Sequence, residues 1–393
     1  MQLGVVTTSY PRFPGDPAGN FVAAHVAALR ALGHRVEVIA AGGAAGGEPR
    51  DATRGGVNRP ALPGERGRER PLWIDARRVG GLGLFYTGGA PDALERSPLR
   101  AGLAAAAFTA RLTAQVAAAA RRWDAIVAHW LAPSAIAALP AGRPLTAIGH
   151  GGDVFTLRRL HLLGPVLGAL HRRGARLVLV SEQLREVARA AAPALAGWLD
   201  AALVQPMGVD AARFAALPRA PSDPPTVLCV ARLVPIKGVD VALAAMRHVR
   251  TAARLVIAGD GPERARLARA AAPATALDAT LLGEVPTDRR DDLLSAASVV
   301  VVPSRVTPGG RTEGTPAIAL EALAAGVPVV ASAVGGLRGL AGRAGVQLVP
   351  PDDPRALAGA IDRALADPLP PAALRAAVAD LDWRQVAPRL LRA

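Results

Sequence analysis

Along the first forty residues the apolar positions change period twice. Leu3–Thr8 is a short β-branched run that reads as a strand, and Asn20–Leu32 carries apolar residues at Val22, Val26, Leu29 and Leu32, the spacing of one helix face. Gly33-His34 stops that helix, and Arg35–Ala40 reads as a second strand. Later strands are Asp124–Ala128, Leu145–Gly149 and Arg176–Val180. A second series starts near Thr226, with strands Thr226–Ala231, Arg254–Ala258, Thr280–Leu282 and Ser298–Val302 separated by helices near Val239–His248, Glu263–Ala271 and Asp288–Ala296. Pro316–Ala325 is a further helix, followed by the strand Pro328–Ala331. Strands alternating with helices in this way predict parallel α/β units. Between the two series lie Gln205–Asp210 and the Pro-rich Leu217–Pro225. The expectation is therefore two Rossmann-like domains, 1–205 and 226–372, joined by a linker 206–225 and followed by a C-terminal helix in 373–393. From Ala41 to Gly89 the chain is rich in Gly, Pro and Arg without clear period, which predicts a long loop or partly mobile insertion.

At 393 residues the chain exceeds one ordinary core, and its 51% apolar content excludes wholesale disorder. One cysteine rules out a disulfide within the monomer, and Met1–Val6 runs straight into a strand pattern without a charged leader, so a cytoplasmic protein is expected. The alanine-rich stretch Ala101–Ala120 is interrupted by Arg111 and Gln115, the pattern of an amphipathic or buried helix and not of a membrane span. Net charge is +14, of which residues 1–216 hold +10 and residues 217–393 hold +4. A basic first half faces an anionic partner. With 3% aromatics and no RNA-binding sheet motif, zinc-finger spacing or basic zipper, nucleic acid is set aside, leaving an anionic bilayer or an anionic substrate.

Lys237 is the only lysine among 46 basic residues, in the run Arg232-Leu233-Val234-Pro235-Ile236-Lys237. Arginine offers a planar fork and lysine a compact, strongly hydrated point charge; five residues apart after an apolar strand, the two suit a diphosphate. Downstream, Glu313-Gly314-Thr315-Pro316 opens a helix. Thr315 is the expected N-cap and Pro316 the first helical residue, which aims the amides of Gly314, Thr315 and the helix start at a ligand anion. Glu313 precedes the helix and Glu321 lies a turn and a half inside it, a spacing that lets the two carboxylates reach different hydroxylated parts of one ligand. Gly259-Asp260-Gly261 between a strand and a helix reads as a tight turn with Asp260 its former. Cys229, on a strand, reads as buried and inert.

In the first half, His150-Gly151-Gly152-Asp153 follows a predicted strand, at the sheet edge where open α/β folds bind ligands. Asp153 is placed to orient the His150 imidazole. His129-Trp130 ends the preceding strand on the same edge. The loop 14–20 enters the first helix, with Gly19 permitting close backbone approach of a phosphate or sugar and Asn20 a candidate cap. No Asp-x-Asp occurs in a strand-end loop and no His/Cys cluster is present, so neither a metal nor a cofactor is expected. The absence of G-x-G-x-x-G after Leu3–Thr8 or Thr226–Ala231 disfavours a nicotinamide dehydrogenase.

These motifs resemble the family 4 type retaining glycosyltransferases of GT-B fold, most densely from Val227 to Gly336. The resemblance implies two Rossmann-like domains facing a cleft, with the segment Asp380–Val386 sending a last helix back to the first domain and Trp383 as its packing anchor. It implies that Arg232 and Lys237 hold the diphosphate of a nucleotide-sugar donor, that Glu313 contacts the donor sugar, and that Glu321 contacts the ribose. Gly283-Glu284-Val285 would receive the base through backbone groups, with the Glu284 carboxylate in solvent. His150 becomes an active-site candidate beside the donor sugar and acceptor. The usual adjacent glycines are missing from the loop before Asn20. The implied activity is metal-independent transfer of a hexosyl unit to an unidentified hydroxyl acceptor, in glycan, glycolipid or polysaccharide synthesis.

Two rivals remain open on the sequence. A nucleotide-sugar epimerase or sugar-phosphate synthase could use the same scaffold. A non-catalytic protein could instead dock on an anionic membrane through Leu160–Leu170, which Arg158-Arg159 and His171-Arg172-Arg173 flank, or that stretch could be an ordinary packed helix. A lipid-linked acceptor with peripheral contact at the inner membrane face fits either basic-surface reading.

Overall fold

The computed structural model describes residues 1–13, 16, 18–42, 76–80, 98–272 and 278–391. Its contacts divide the chain into two compact units, Met1–Leu145 and Thr146–Ala393. The strands are β1 (Gln2–Thr7), β2 (Arg35–Ala41), β3 (Ala76–Val79), β4 (Ala125–His129), β5 (Leu145–Gly149), β6 (Arg176–Leu179), β7 (Leu203–Val204), β8 (Thr226–Val230), β9 (Arg254–Ala258), β10 (Ala279–Gly283), β11 (Val299–Val302), β12 (Val329–Ser332) and β13 (Val346–Val349).

In the first unit the strands run β3-β2-β1-β4, with parallel pairing throughout. β1 is buried along nearly its whole length, as expected of a parallel strand covered on both faces. The helix Pro98–Ala120 packs on this unit through Phe108, Leu112, Val116 and Ala119, while Leu99 and Leu103 on another face are exposed. It is long and apolar enough to cross a membrane by length and composition, yet one face is part of a core, the amphipathic pattern expected. Of the stretch 41–89, residues 43–75 and 81–89 lie outside the described residues. Within it, however, β3 is a strand and not loop. Its sequence Ala-Arg-Arg-Val has no apolar alternation to announce it; the pairing with β2 and the Arg78 guanidinium, which donates to Tyr10 and Ala41 carbonyls, hold it.

In the second unit β5-β6-β7 form one parallel run and β10-β9-β8-β11-β12-β13 form a parallel six-stranded sheet. Val, Leu and Ile fill both faces of the six-stranded sheet. One side packs against the helix Ala317–Ala325 and the other against Val239–Met246 and Pro354–Ala366. Cys229 on β8 is buried, which pushes its thiol up to about 12. The apolar segment 160–170 is divided: Gly152–Arg159 ends at a turn with His161 at φ 56°, and Leu163–Arg172 buries Leu163, Leu167 and Leu170. That is the packed-helix reading, with Leu160 and Leu162 left at the surface.

The last helix, Trp383–Leu391, is tied to the segment 205–211. Asp382 accepts from Ala211 N–H at 3.1 Å, Trp383 N–H donates to Val209 O at 3.0 Å, and Arg389 reaches Gln205 at 3.3 Å. Trp383 is buried, the packing anchor expected of it.

Candidate functional site

Every strand of the six-stranded sheet is parallel, so the loops after β8, β9, β10, β11 and β12 leave from one edge. Chain order departs in opposite directions from β8, to β9 on one side and to β11 on the other, which makes the gap between β8 and β11 the topological switch point. Ligands of open α/β sheets bind outside the strand ends at this point. The loop after β8 carries Arg232 and Lys237, and the loop after β11 carries Glu313, Gly314 and Thr315.

Across that gap Lys237 Nζ donates to Glu313 Oε2 at 2.7 Å, with 19% and 14% of the two side chains exposed. Lys237 closes a single helical turn, Pro235–Lys237, whose first residue is fixed by proline. Arg232 is exposed at the start of the same loop, and Leu233 N–H bonds the Asp260 carbonyl at 2.8 Å, so the Gly259–Gly261 turn buttresses it. Asp260 serves as the turn former expected: its carboxylate accepts from Gly261 N–H and from Arg264, and these hold it below the usual aspartate range.

The Glu313 loop rests on the Gly335-Gly336 turn after β12. Gly336 N–H donates to Glu313 O at 3.2 Å, and a Cβ at Gly335, whose φ is 51°, would lie 2.0 Å from that same oxygen. On its other side the loop meets the β5 and β6 ends. A Cβ at Gly314 would lie 3.0 Å from His150 O and 3.1 Å from Val180 Cγ2, so a larger residue would press the His150 loop back by a few tenths of an ångström. Thr312 Oγ1 donates to Gln183 at 2.7 Å, and Arg158 donates to Gly309 O at 2.9 Å. The structure thus brings His150, Gly314, Thr315, Glu313 and Lys237 into one connected set of loops.

The helix after this loop is Ala317–Ala325, one residue later than expected. Its N-cap is Pro316 in an extended conformation and not Thr315. Thr315 Oγ1 instead donates to Gly336 O at 3.4 Å, so the hydroxyl binds the underlying turn and leaves the helix-start amides uncapped by a side chain. Glu321 lies within this helix, 14% exposed, and Arg290 of the helix Thr287–Ala296 contacts its carboxylate at 3.3–3.4 Å. Burial pushes the Glu321 carboxyl above its ordinary value; Arg290 and Arg213 pull it back, and Asp291 adds to the rise.

Asp153 Oδ1 accepts the backbone N–H of both His150 and Gly151 at 3.0 Å, fixing the loop that carries the imidazole. Gly283 ends β10, Glu284 is exposed, and Val285 packs on the core at the same sheet edge.

The first unit holds Gly19, at the start of the helix Asn20–Ala31, and His129, at the end of β4. Residues 14, 15 and 17 of the loop lie outside the described residues. Gly19 has φ 70°, and a Cβ there would lie 2.3 Å from Ser9 O, so glycine is required by the turn itself. Gly19, not Asn20, is the N-cap; Asn20 is already helical, and Asp16 organises the turn through Arg12 and Ala18 N–H. His129 Nε2 sits 3.0 Å from His25 Nδ1 in the interior, and burial drives His25 down to about 3.

Gly335-Gly336, Gln183 and Arg290 escaped the sequence reading. The paired glycines were the one visible signal; the other two are ordinary helix residues until the helices are placed.

Residues 224–367 match the family described as Glycosyl transferases group 1. The chain is 31% identical over 257 residues to the putative colanic acid biosynthesis glycosyltransferase WcaL of Escherichia coli K12, covering 63% of this chain and 58% of that one. It is 31% identical to the putative teichuronic acid biosynthesis glycosyltransferase TuaC of Bacillus subtilis 168, covering 61% of each. The chain therefore spans about three fifths of the length of these relatives. In fold it is similar to Anabaena Alr3699/HepE, solved in complex with UDP, with a TM-score of 0.67 and 18% identity over 99% of this chain and 98% of that one.

Proposed function

We propose that this chain, whose residues 224–367 match the glycosyl transferases group 1 family and whose fold is of GT-B type, is a retaining hexosyltransferase that uses a nucleoside diphosphate sugar to glycosylate an acceptor hydroxyl in polysaccharide synthesis. The observation that carries the reading is the Lys237–Glu313 pair across the sheet's switch point; Arg232 precedes Lys237 on the loop after β8, and Gly314 and Thr315 follow Glu313 on the loop after β11. A ligand with an anionic and a hydroxylated end satisfies both members of the pair at once, the diphosphate taking Lys237 and the sugar hydroxyls taking Glu313.

In the reaction the bond between the anomeric carbon and the diphosphate oxygen breaks, and the acceptor oxygen forms its bond on the face the diphosphate leaves. The acceptor's proton passes to the departing phosphate. Charge developing on that phosphate meets Arg232, Lys237 and the helix-start amides, so the neutralisation is assigned to side chains and amides without a metal. A preorganised charged donor of this kind contributes about 3–4 kcal/mol to lowering a barrier. His150, on the loop against Gly314, faces the sugar and acceptor in this reading, and Glu321 takes the ribose. The likeness to WcaL and TuaC supports a polysaccharide acceptor, and the likeness to a UDP-bound structure supports a nucleotide donor.

Thermal-shift screening of UDP-, GDP- and ADP-sugars, followed by product analysis with and without added oligosaccharide acceptors, tests this. Stabilisation by one nucleotide class and a product that requires acceptor are expected. Isomerised sugar from donor alone would favour the epimerase rival, and no stabilisation by any nucleotide sugar would remove the proposal.

A further inference from the structure

Glu321 does not stand alone in its helix. Arg290 contacts both oxygens of its carboxylate at 3.3–3.4 Å and also lies 3.5 Å from Asp291. Asp291 in turn accepts from Arg213, on the short helix Ala211–Ala215. The buried Phe214 ring lies under both guanidiniums, 4.6 Å from Arg213 and 5.7 Å from Arg290. Arg290, Asp291 and Glu321 keep only 14–16% of their side chains in solvent. A single ion pair on an exposed face contributes little. Sunk to this depth, each member depends on the others, because a carboxylate removed from water needs a fixed counter-charge to stay ionised.

We propose that Arg290 is a positioning residue for the donor's ribose: it holds the Glu321 carboxylate charged and in one orientation, so that both oxygens accept from ribose hydroxyls. This rests on the reading of Glu321 as the ribose ligand. An ionised carboxylate accepts from two hydroxyls together, whereas a protonated one has to turn one oxygen into a donor and loses that match. The groups facing Glu321 are Arg290 and Asp291 from one helix and Arg213 from another. The helix Pro371–Ala376, packed on the same element, brings Arg375 beside Gly326 at its far end, and the neighbouring strands β11 and β12 carry no ionisable side chain. With Arg290 removed, Glu321 keeps its burial and the repulsion of Asp291, while Arg213 is already engaged by Asp291. Its proton would then be held to higher pH.

The test is calorimetric binding of UDP and GDP against their 2′,3′-dideoxy counterparts to the full chain, using wild type, Arg290→Met, Arg290→Lys and Glu321→Gln across pH 6 to 9. Wild type should prefer the ribonucleotide. Arg290→Met should weaken it on the order of ten- to a hundredfold at neutral pH, the worth of a charged hydrogen bond or two. The same variant should bind the dideoxy compound as wild type does, and its ribonucleotide affinity should recover as pH rises. Arg290→Lys should restore most of the preference. A merely structural role would weaken both nucleotides alike. Equal loss for both, or no loss, with Glu321→Gln still abolishing the ribose preference, overturns the role of Arg290 and leaves Glu321 as ribose ligand. Absence of any ribose preference in wild type overturns both.

Discussion

Gly335→Ala adds one methyl group where the Glu313 loop rests on the turn after β12. Two costs follow. With φ at 51° an alanine sits in the left-handed region, worth roughly 1–2 kcal/mol. Its Cβ would also lie 2.0 Å from Glu313 O and 2.9 Å from Thr312 Oγ1, so the Glu313 carbonyl has to retreat on the order of 1 Å to reach ordinary contact. A displacement of that size at a substrate-positioning group costs on the order of a hundredfold in rate. Steady-state transfer kinetics with the donor found by thermal shift should show this loss, with a melting temperature lowered by about 4–20 °C, since strain and overlap with a backbone oxygen together cost roughly 2–5 kcal/mol in a large domain. Gly339→Ala is the control: it lies in the same helical stretch, Gly335–Leu340, and a Cβ there meets nothing within 4 Å. It should be silent. A Gly335→Ala enzyme with wild-type kcat/KM would refute the argument that this turn sets the Glu313 loop.

Two further outcomes are expected elsewhere in the fold. Iodoacetamide at pH 8 should leave Cys229 unlabelled in the native protein and modify it once urea unfolds the chain, because burial raises the thiol to about 12; stoichiometric labelling of the native state would contradict its burial. Asp362 is penalised by burial, but the N–H groups of Thr251 and Arg250 and the Thr251 hydroxyl outweigh this and hold its carboxyl below the aspartate range. A depressed carboxylate contributes stability present above the unfolded value and lost as pH falls through the folded one. Asp362→Asn should therefore cost about 1–2 kcal/mol at pH 7 and nothing once wild-type Asp362 is protonated, as read from urea melts across pH; a difference independent of pH would contradict this.

The β-branched runs located most strands to within one or two residues, because fully buried parallel strands have little alternative composition. β3 escaped for the opposite reason. An edge strand with two arginines has no apolar signature, and its partner's backbone is what makes it a strand. The helix start was off by one residue because Thr315 has two uses for its hydroxyl, and the choice between capping and bonding Gly336 depends on a turn more than twenty positions away. Likewise Lys237 and Glu313 were legible singly, by residue type and motif. Their 2.7 Å contact depends on β8 and β11 being neighbours at a switch point, a consequence of strand order. Arg290 was illegible altogether: on its own helix it is one of several charged residues, and only the packing of that helix against Ala317–Ala325 gives it a carboxylate to hold.

Donor turnover by Lys237→Ala is the most direct measure of the account, since the whole reading places the diphosphate on this ammonium. With the donor and acceptor pair established, Lys237→Ala should lose about a hundred- to a thousandfold in kcat/KM while remaining folded by circular dichroism and thermal melt. Lys237→Arg, which keeps charge and changes shape, should recover only part of that loss. Normal turnover by a well-folded Lys237→Ala protein would contradict the assignment of the diphosphate to the gap between β8 and β11.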